Sequence, residues 1–423
     1  MRLRARHRVT GMTGRPGWLA HALAALDMDF AGGRYFGKQL GDLTVTRASA
    51  GYAQDQAGNW QNFAANAPRR TDRGLLVEMA RTNVLRNNSM QGASAAVLPT
   101  FWAGNLNAAS GMVSSSFSAP VTDSGIDCIN VSLQTASHSA TASVLSFDGQ
   151  ATGNGLVPVT PGSVWTGSVF TRLLSGSLTT GLLGLDLALR EYNSAGAFLA
   201  QTLSSIQGAG AAMSRQTMTV TTRADCAYIT LALRINYQAG GSSAFSLRVG
   251  WPQLEAGGYA TSPIRTTGAA QTRAADLISF PVSGVPNAFS VICSAAHAPA
   301  LGQGLLCNLK TSGSPHVMFG SSGSPNLGSV EVGDGQGWSV NRSAALLTPG
   351  QRFKSAFAYT TNSSRLSVNG GAVTSNIPSS VVVPSLIYLG SASWGALQWG
   401  GYIERFTLVP AFLTNTELQG ITQ

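Results

Sequence analysis

The chain has 423 residues, of which only 11% are charged and 49 are glycine. A typical soluble domain carries about 25% charge, so the deficit excludes a coiled coil, while 44% hydrophobic residues exclude charge-driven disorder. The net charge of +9 is unevenly placed: Arg2, Arg4, Arg6, Arg8 and Arg15 supply +5 within a first 26 residues that hold no acid, leaving +4 for the rest. A nearly neutral body lacks the basic face that phosphate binding demands, so nucleic acid is not an expected partner.

In chain order, residues 1–30 read as a basic N-terminal arm with a short helix over Trp18–Leu26. That apolar run is short, contains His21 and follows Gly-Arg-Pro-Gly, so it is not read as a signal peptide. No apolar run approaches the ~20 residues of a membrane span, and no membrane partner is expected. Residues 31–94 read as a mostly irregular anchoring segment. Within it Leu43–Thr46 and Leu75–Val77 are strand-like, and Asp55-Gln-Ala-Gly58 can close a hairpin.

From about 95 to 262 the pattern is β: Ile126–Leu133, Ala142–Phe147, Val164–Arg172, Leu182–Arg190, Gln216–Thr222, Ala227–Ile235 and Phe245–Leu254. Residues 266–276 are polar and turn-rich, and read as a linker. A second β set follows: Phe289–Ala296, Gly304–Leu309, Val317–Gly320, Ser329–Val332, Phe353–Tyr359, Arg365–Val368, Leu386–Leu389 and Gly401–Val409. Thr414 and Glu417 have the spacing of a capping box, which predicts a short terminal helix. No helical pattern separates the strands, so the fold class is all-β, with two antiparallel β-sandwich (jelly-roll) domains in tandem after the irregular segment. The four cysteines fall as Cys128 with Cys226 and Cys293 with Cys307, one pair per sandwich, and are expected as buried thiols.

Three stretches resemble segments of phage tail-fibre-like and spike-like virion surface proteins. Leu26-Asp-Met-Asp-Phe-Ala-Gly-Gly-Arg-Tyr35, followed by Leu43-Thr-Val-Thr-Arg-Ala-Ser49 and Gly74-Leu-Leu-Val-Glu-Met-Ala-Arg-Thr-Asn-Val-Leu85, is similar to the opening segment of such proteins. Trp251-Pro-Gln-Leu-Glu-Ala-Gly-Gly-Tyr-Ala-Thr-Ser-Pro-Ile264 resembles the closing strand of their carbohydrate-binding-module-like jelly roll. Gly390 through Gln423 resembles the end of a concanavalin A-like lectin/laminin-G sandwich. The resemblance implies a jelly roll over 95–265 and a lectin-like sandwich over 277–423. It also implies a homo-oligomer, with a trimer as the expectation, and other virion proteins as partners of the N-terminal segment. Glu78 and Arg81 are conspicuous in so uncharged a chain. With Arg47, Arg69, Arg70 and Arg73 they are read as structural ion-pairing groups that tie the segment onto the first sandwich.

The chemistry-bearing residues do not gather in sequence. Retaining glycoside hydrolysis needs two carboxyl groups about 5–5.5 Å apart. In the second β set Glu331 and Asp334 are three apart and so face oppositely on a strand, Glu404 is alone, and Glu417 serves as a cap. No metalloprotease, nucleophile-elbow or phosphate-loop motif is present, and His297 reads as a core or edge histidine. No catalytic residues, metal site or cofactor are assigned; Asp127, Asp148 or Asp276 could serve a structural Ca²⁺, without the dense oxygen spacing that would mark one. Sugar binding needs an exposed aromatic face, and Trp338, Tyr388, Trp394 and Trp399 are the candidates, against the alternative that these rings fill the core. The expectation is a non-enzymatic structural protein of a bacteriophage, made in the host cytoplasm and displayed on the virion surface. It would be a compact tail fibre, tail spike or decoration protein that binds host glycans or other virion proteins. A glycan-degrading tailspike hydrolase and a secreted bacterial lectin are the alternatives.

Overall fold

The computed structural model describes residues 24–104, 106, 111–138, 142–149, 156–206, 209–296, 302–311, 315–322, 327–333 and 337–423. The basic arm, most of the Trp18–Leu26 stretch, His297 and Asp334 lie outside them. Leu26 itself opens a strand, Leu26–Asp29, so the expected helix does not extend to it. The chain is all-β, with one α-helix among the described residues, and forms two compact units. One unit comprises Arg47–Arg69 and Ala80–Ala275; the other takes in the described residues up to Thr46, Arg70–Met79 and Asp276–Gln423.

In the first unit, one antiparallel sheet runs in the order Met112–Phe117, Ile126–Thr135, Ser243–Ala256, Val164–Gly176 and Ser214–Thr221. The second runs Phe198–Ser205, Leu182–Tyr192, Tyr228–Tyr237, Ala142–Ser146 and Ala103–Gly104. Leu185, Leu187 and Leu189 alternate inward from one sheet to meet Val131, Leu133 and Val249 from the other, all nearly inaccessible to water. In the Ser243–Ala256 strand the register slips between Ser168 and Phe170 of its neighbour, opposite Trp251-Pro252. Trp251 there has φ +35. This bulge re-aims the Trp251 ring to the outer face, where it packs with Phe170, Ile126 and Cys128.

In the second unit, one sheet carries Leu26–Asp29 against Gly401–Val409, followed by Phe289–Ala296, Arg352–Thr360 and Ser363–Val368. The facing sheet runs Trp338–Leu346, Leu327–Gly333, His316–Ser321, Gly304–Lys310, Leu386–Leu389, Leu277–Pro281 and Thr44–Thr46. Phe289, Phe319, Phe357 and Trp399 fill the space between them. The C-terminal helix Asn415–Thr422 has the expected capping box, with Thr414 and Glu417 bonding each other's backbone N–H groups. All four cysteines are buried and unbonded.

Residues 31–94 are the main departure from the sequence expectation. Their strands are only two to four residues long; Gly51–Gln54 and Trp60–Phe63 pair locally as a hairpin, but three others find partners far away in the chain. Thr44–Thr46 adds to Leu277–Pro281, Gly74–Val77 to Gly401–Val409, and Arg81–Asn83 to Gln271–Arg273. The expected linker is likewise built in, because Thr266, Arg273 and Asp276 are fully buried. Strands this short cannot bury a face of their own and hold only as additions to a sheet made elsewhere.

Arginine chemistry fixes the first-unit part of this segment. Arg47 donates to the carbonyls of Ser49, Ala64 and Ala67, and Arg69 to the Tyr52 carbonyl and the Ser262 hydroxyl. Arg81 faces the buried Glu255 at 3.9 Å and lies over the Tyr259 ring. Glu78 belongs to the other unit, where its backbone exchanges hydrogen bonds with Asp276.

Candidate functional site

The outer face of the seven-stranded sheet of the second unit carries the candidate site. Val317 and Phe319 point into the core, so His316 and Met318 point out. Across the strands, Trp338 is level with Gly333, Gly333 with His316, and His316 with Lys310. Gly333 is what lets the rings meet: a Cβ there would lie 2.8 Å from the Trp338 indole, which therefore covers the glycine and reaches over it. The Trp338 and His316 ring centroids are 5.0 Å apart.

A loop brings the third ring. Residues 390–399 fold back on themselves, with Ala392 N–H bonded to the Ala396 carbonyl and Trp399 N–H to that of Gly390. Ser393 N–H donates to the buried Asn308 side chain and Leu305 N–H to the Leu397 carbonyl, so the loop is tied to the sheet at both ends of its tip. Ala392 and Leu397 rest on Leu305 and Met318. The tip holds Trp394 with its ring 6.0 Å from His316. Trp338 is 39% and Trp394 57% exposed, so two solvent-exposed indoles flank the partly buried His316 ring.

Polar groups border the row. Glu331 lies two residues before Gly333 on the same face, between Met318 and Val340. Its half-buried carboxyl is pushed above the usual glutamate range by burial, partly offset by Arg342. Tyr388 is half-buried two strands beyond His316, opposite Asn308.

Of the four aromatic candidates, the structure gathers Trp338 and Trp394, sets Tyr388 on the same face, and corrects Trp399. Trp399 is fully buried, packs 5.6 Å from Phe353 and donates its indole N–H to the Ala296 carbonyl at 3.1 Å, so it is core. His316 was missed; the only available signal was its place in His316-Val-Met-Phe, opposite in phase to the core residues.

Carboxylates elsewhere are engaged. Glu404 takes Arg352 at 2.5 Å and the Ser294 hydroxyl, and Asp27 takes Arg405 and Thr407. Asp148 is held by Arg86, Asp127 by Arg265 and Trp251, and Asp276 by the Glu78 backbone. Among the described residues no group of three or more His, Cys, Asp or Glu is placed to hold a metal ion, and no helix is long and apolar enough to cross a membrane.

No protein-family model and no curated protein matches the chain. Among solved structures it is similar to the tripod (BppUct-A-L) from the baseplate of bacteriophage Tuc2009, at 13% identity over 75% of this chain and 97% of that one, with a TM-score of 0.31. It is similar to the CBM22-1-CBM22-2 tandem domain of Paenibacillus barcinonensis Xyn10C, at 10% identity, 79% and 98% coverage and a TM-score of 0.26. The Ruminococcus gnavus IT-sialidase CBM40 bound to alpha2,3 sialyllactose matches at 16% identity, 32% and 83% coverage and a TM-score of 0.29. Likenesses at this level carry no argument about ligand or partner.

Proposed function

We propose that this chain is a non-enzymatic structural protein of a bacteriophage, displayed on the virion surface, and that its second unit binds host-surface glycans through the Trp338–His316–Trp394 row. The observation that carries the glycan reading is two exposed indoles flanking His316 on one sheet face. A pyranose ring presents an apolar C–H face that stacks on such rings while its hydroxyls reach groups like Glu331 and Lys310. The virion reading is supported by the three motif resemblances and by the nearly neutral β body behind a basic arm. In it the N-terminal residues engage other virion proteins and the chain forms a homo-oligomer.

Binding to whole host cells and to purified surface polysaccharide tests the site. The Trp338→Ala/Trp394→Ala double variant should lose at least tenfold in affinity with its melting temperature nearly unchanged. Unchanged binding would remove the glycan reading, and absence of the protein from purified particles would remove the virion reading. Release of reducing ends from the polysaccharide would replace the non-enzymatic reading with the hydrolase alternative.

A further inference from the structure

The first unit holds an open cavity of about 290 Å³ with a mixed polar and apolar lining, distinct in its residues from the aromatic row. It is assembled from three stretches: Tyr52 and Asn62 from the hairpin Gly51–Gln54 and Trp60–Phe63, Arg265 from the segment after the closing strand, and Gln271, Thr272 and Arg273 from the short strand that pairs with Arg81–Asn83.

Its back wall is fixed before any ligand arrives. Arg273 is buried and donates to Thr261 and Ser262. Thr272 shares a 2.7 Å hydrogen bond with Thr82. The Tyr52 ring stands edge-on to Trp251 at 4.7 Å, and burial pushes its hydroxyl above the usual tyrosine range, so it remains a donor at neutral pH.

The groups left over have one chemistry in common. Arg265 spends only its Nε on Asp127, at 2.8 Å, which leaves its two terminal nitrogens without a partner among the described residues. The Tyr52 hydroxyl and the side-chain amides of Asn62 and Gln271 also make no hydrogen bond among the described residues, and Ile264 and Pro263 supply an apolar patch of the lining. A guanidinium with a free pair of N–H groups matches a carboxylate, and neighbouring amides match ring hydroxyls. The volume sits at the lower bound of small-molecule sites, about 300–1,000 Å³, which suits one sugar ring rather than a chain.

We infer that this cavity binds a single carboxylate-bearing sugar unit, of the uronic acid type, with Arg265 on the carboxylate and Asn62 and Gln271 on the hydroxyls. The site does not depend on the aromatic row, and either can fail alone.

The test is titration of the full chain with glucuronic acid, glucose and sodium sulfate, followed by calorimetry and saturation-transfer NMR. Glucuronic acid should bind saturably and at least tenfold more tightly than either glucose or sulfate. Asn62→Ala/Gln271→Ala, at exposed positions, should weaken it at least tenfold without moving the melting temperature. Arg265→Lys should weaken it as well, since it keeps the charge but not the paired donors. Trp338→Ala/Trp394→Ala should leave it unchanged. Equal binding of glucose would overturn the inference, as would equal binding of sulfate (an anion site only), no binding at all, or indifference to the Asn62/Gln271 substitutions.

Discussion

Each sandwich carries large aromatic rings on the outer face of one sheet, and the two faces are finished differently. In the first unit Phe170 and Trp251 face outward, and the chain's own hairpin covers them: Tyr52 meets Trp251 and Trp60 meets Phe170 at 5.9 Å, edge-on in both cases. In the second unit Trp338 and Trp394 flank His316 in a comparable row, and both indoles stay exposed. Covering such rings is therefore within this fold's means. Two indoles left exposed, one of them on a tied-down loop, are the feature on which the proposed glycan reading rests.

The largest expected effects test whether the bare row is truly outside the core. Trp251→Ala should cost about 3–5 kcal/mol in chemical denaturation of the first unit, because it empties a buried site under the hairpin. Trp399→Ala should cost the second unit a similar amount. Trp394→Ala, five residues earlier, should change stability by no more than about 0.5 kcal/mol. If Trp394→Ala destabilised as strongly as Trp399→Ala, the row would be core and the contrast between the faces would collapse.

How far the sequence reaches is visible in the same residues. Strands such as Gly401–Val409 and Leu386–Leu389 are legible end to end because alternating or continuous apolar residues mark a buried face. Trp338–Leu346 and Phe198–Ser205 are not, since each is an edge strand with one neighbour and a largely polar or small-residue sequence. The partners of Thr44–Thr46 and Gly74–Val77 lie more than 200 residues further along the chain, and no local pattern encodes that pairing. Trp394 and Trp399 look alike in sequence, and only the packing of Trp399 on Phe353 separates them. The cavity around Arg265 was illegible for the same reason: its walls come together only once both flanking strands are paired.

A smaller effect sharpens the comparison from the covered side. Trp60→Ala should cost about 1–3 kcal/mol, since the ring is only partly buried, and should uncover Phe170. Binding of a hydrophobic dye to the folded protein should rise. A variant that lost this stability without any gain in dye binding would mean that the hairpin stays seated, and that its cover of the face does not depend on Trp60.

The smallest effect is a matched pair of pH dependences with opposite sign. Asp123 borders the covered face. Burial disfavours its carboxylate, but hydrogen bonds from Arg248 and Arg172 outweigh that and hold it below the usual aspartate range. A carboxyl lowered on folding contributes stability above its unfolded pKa and loses it as pH falls through the folded value. Glu331 on the bare face is raised on folding, so its contribution is present below its unfolded pKa and is lost as pH rises through the folded value. Asp123→Asn should therefore destabilise the protein at neutral pH and Glu331→Gln should stabilise it. Both differences should shrink toward zero once each carboxyl is protonated in the folded and unfolded states alike. Denaturation midpoints of the two variants across the acid range measure this directly. Curves of the same sign would mean that Glu331 is stabilised by a partner on its face, and that the bare row is more occupied by its own chain than its exposure implies.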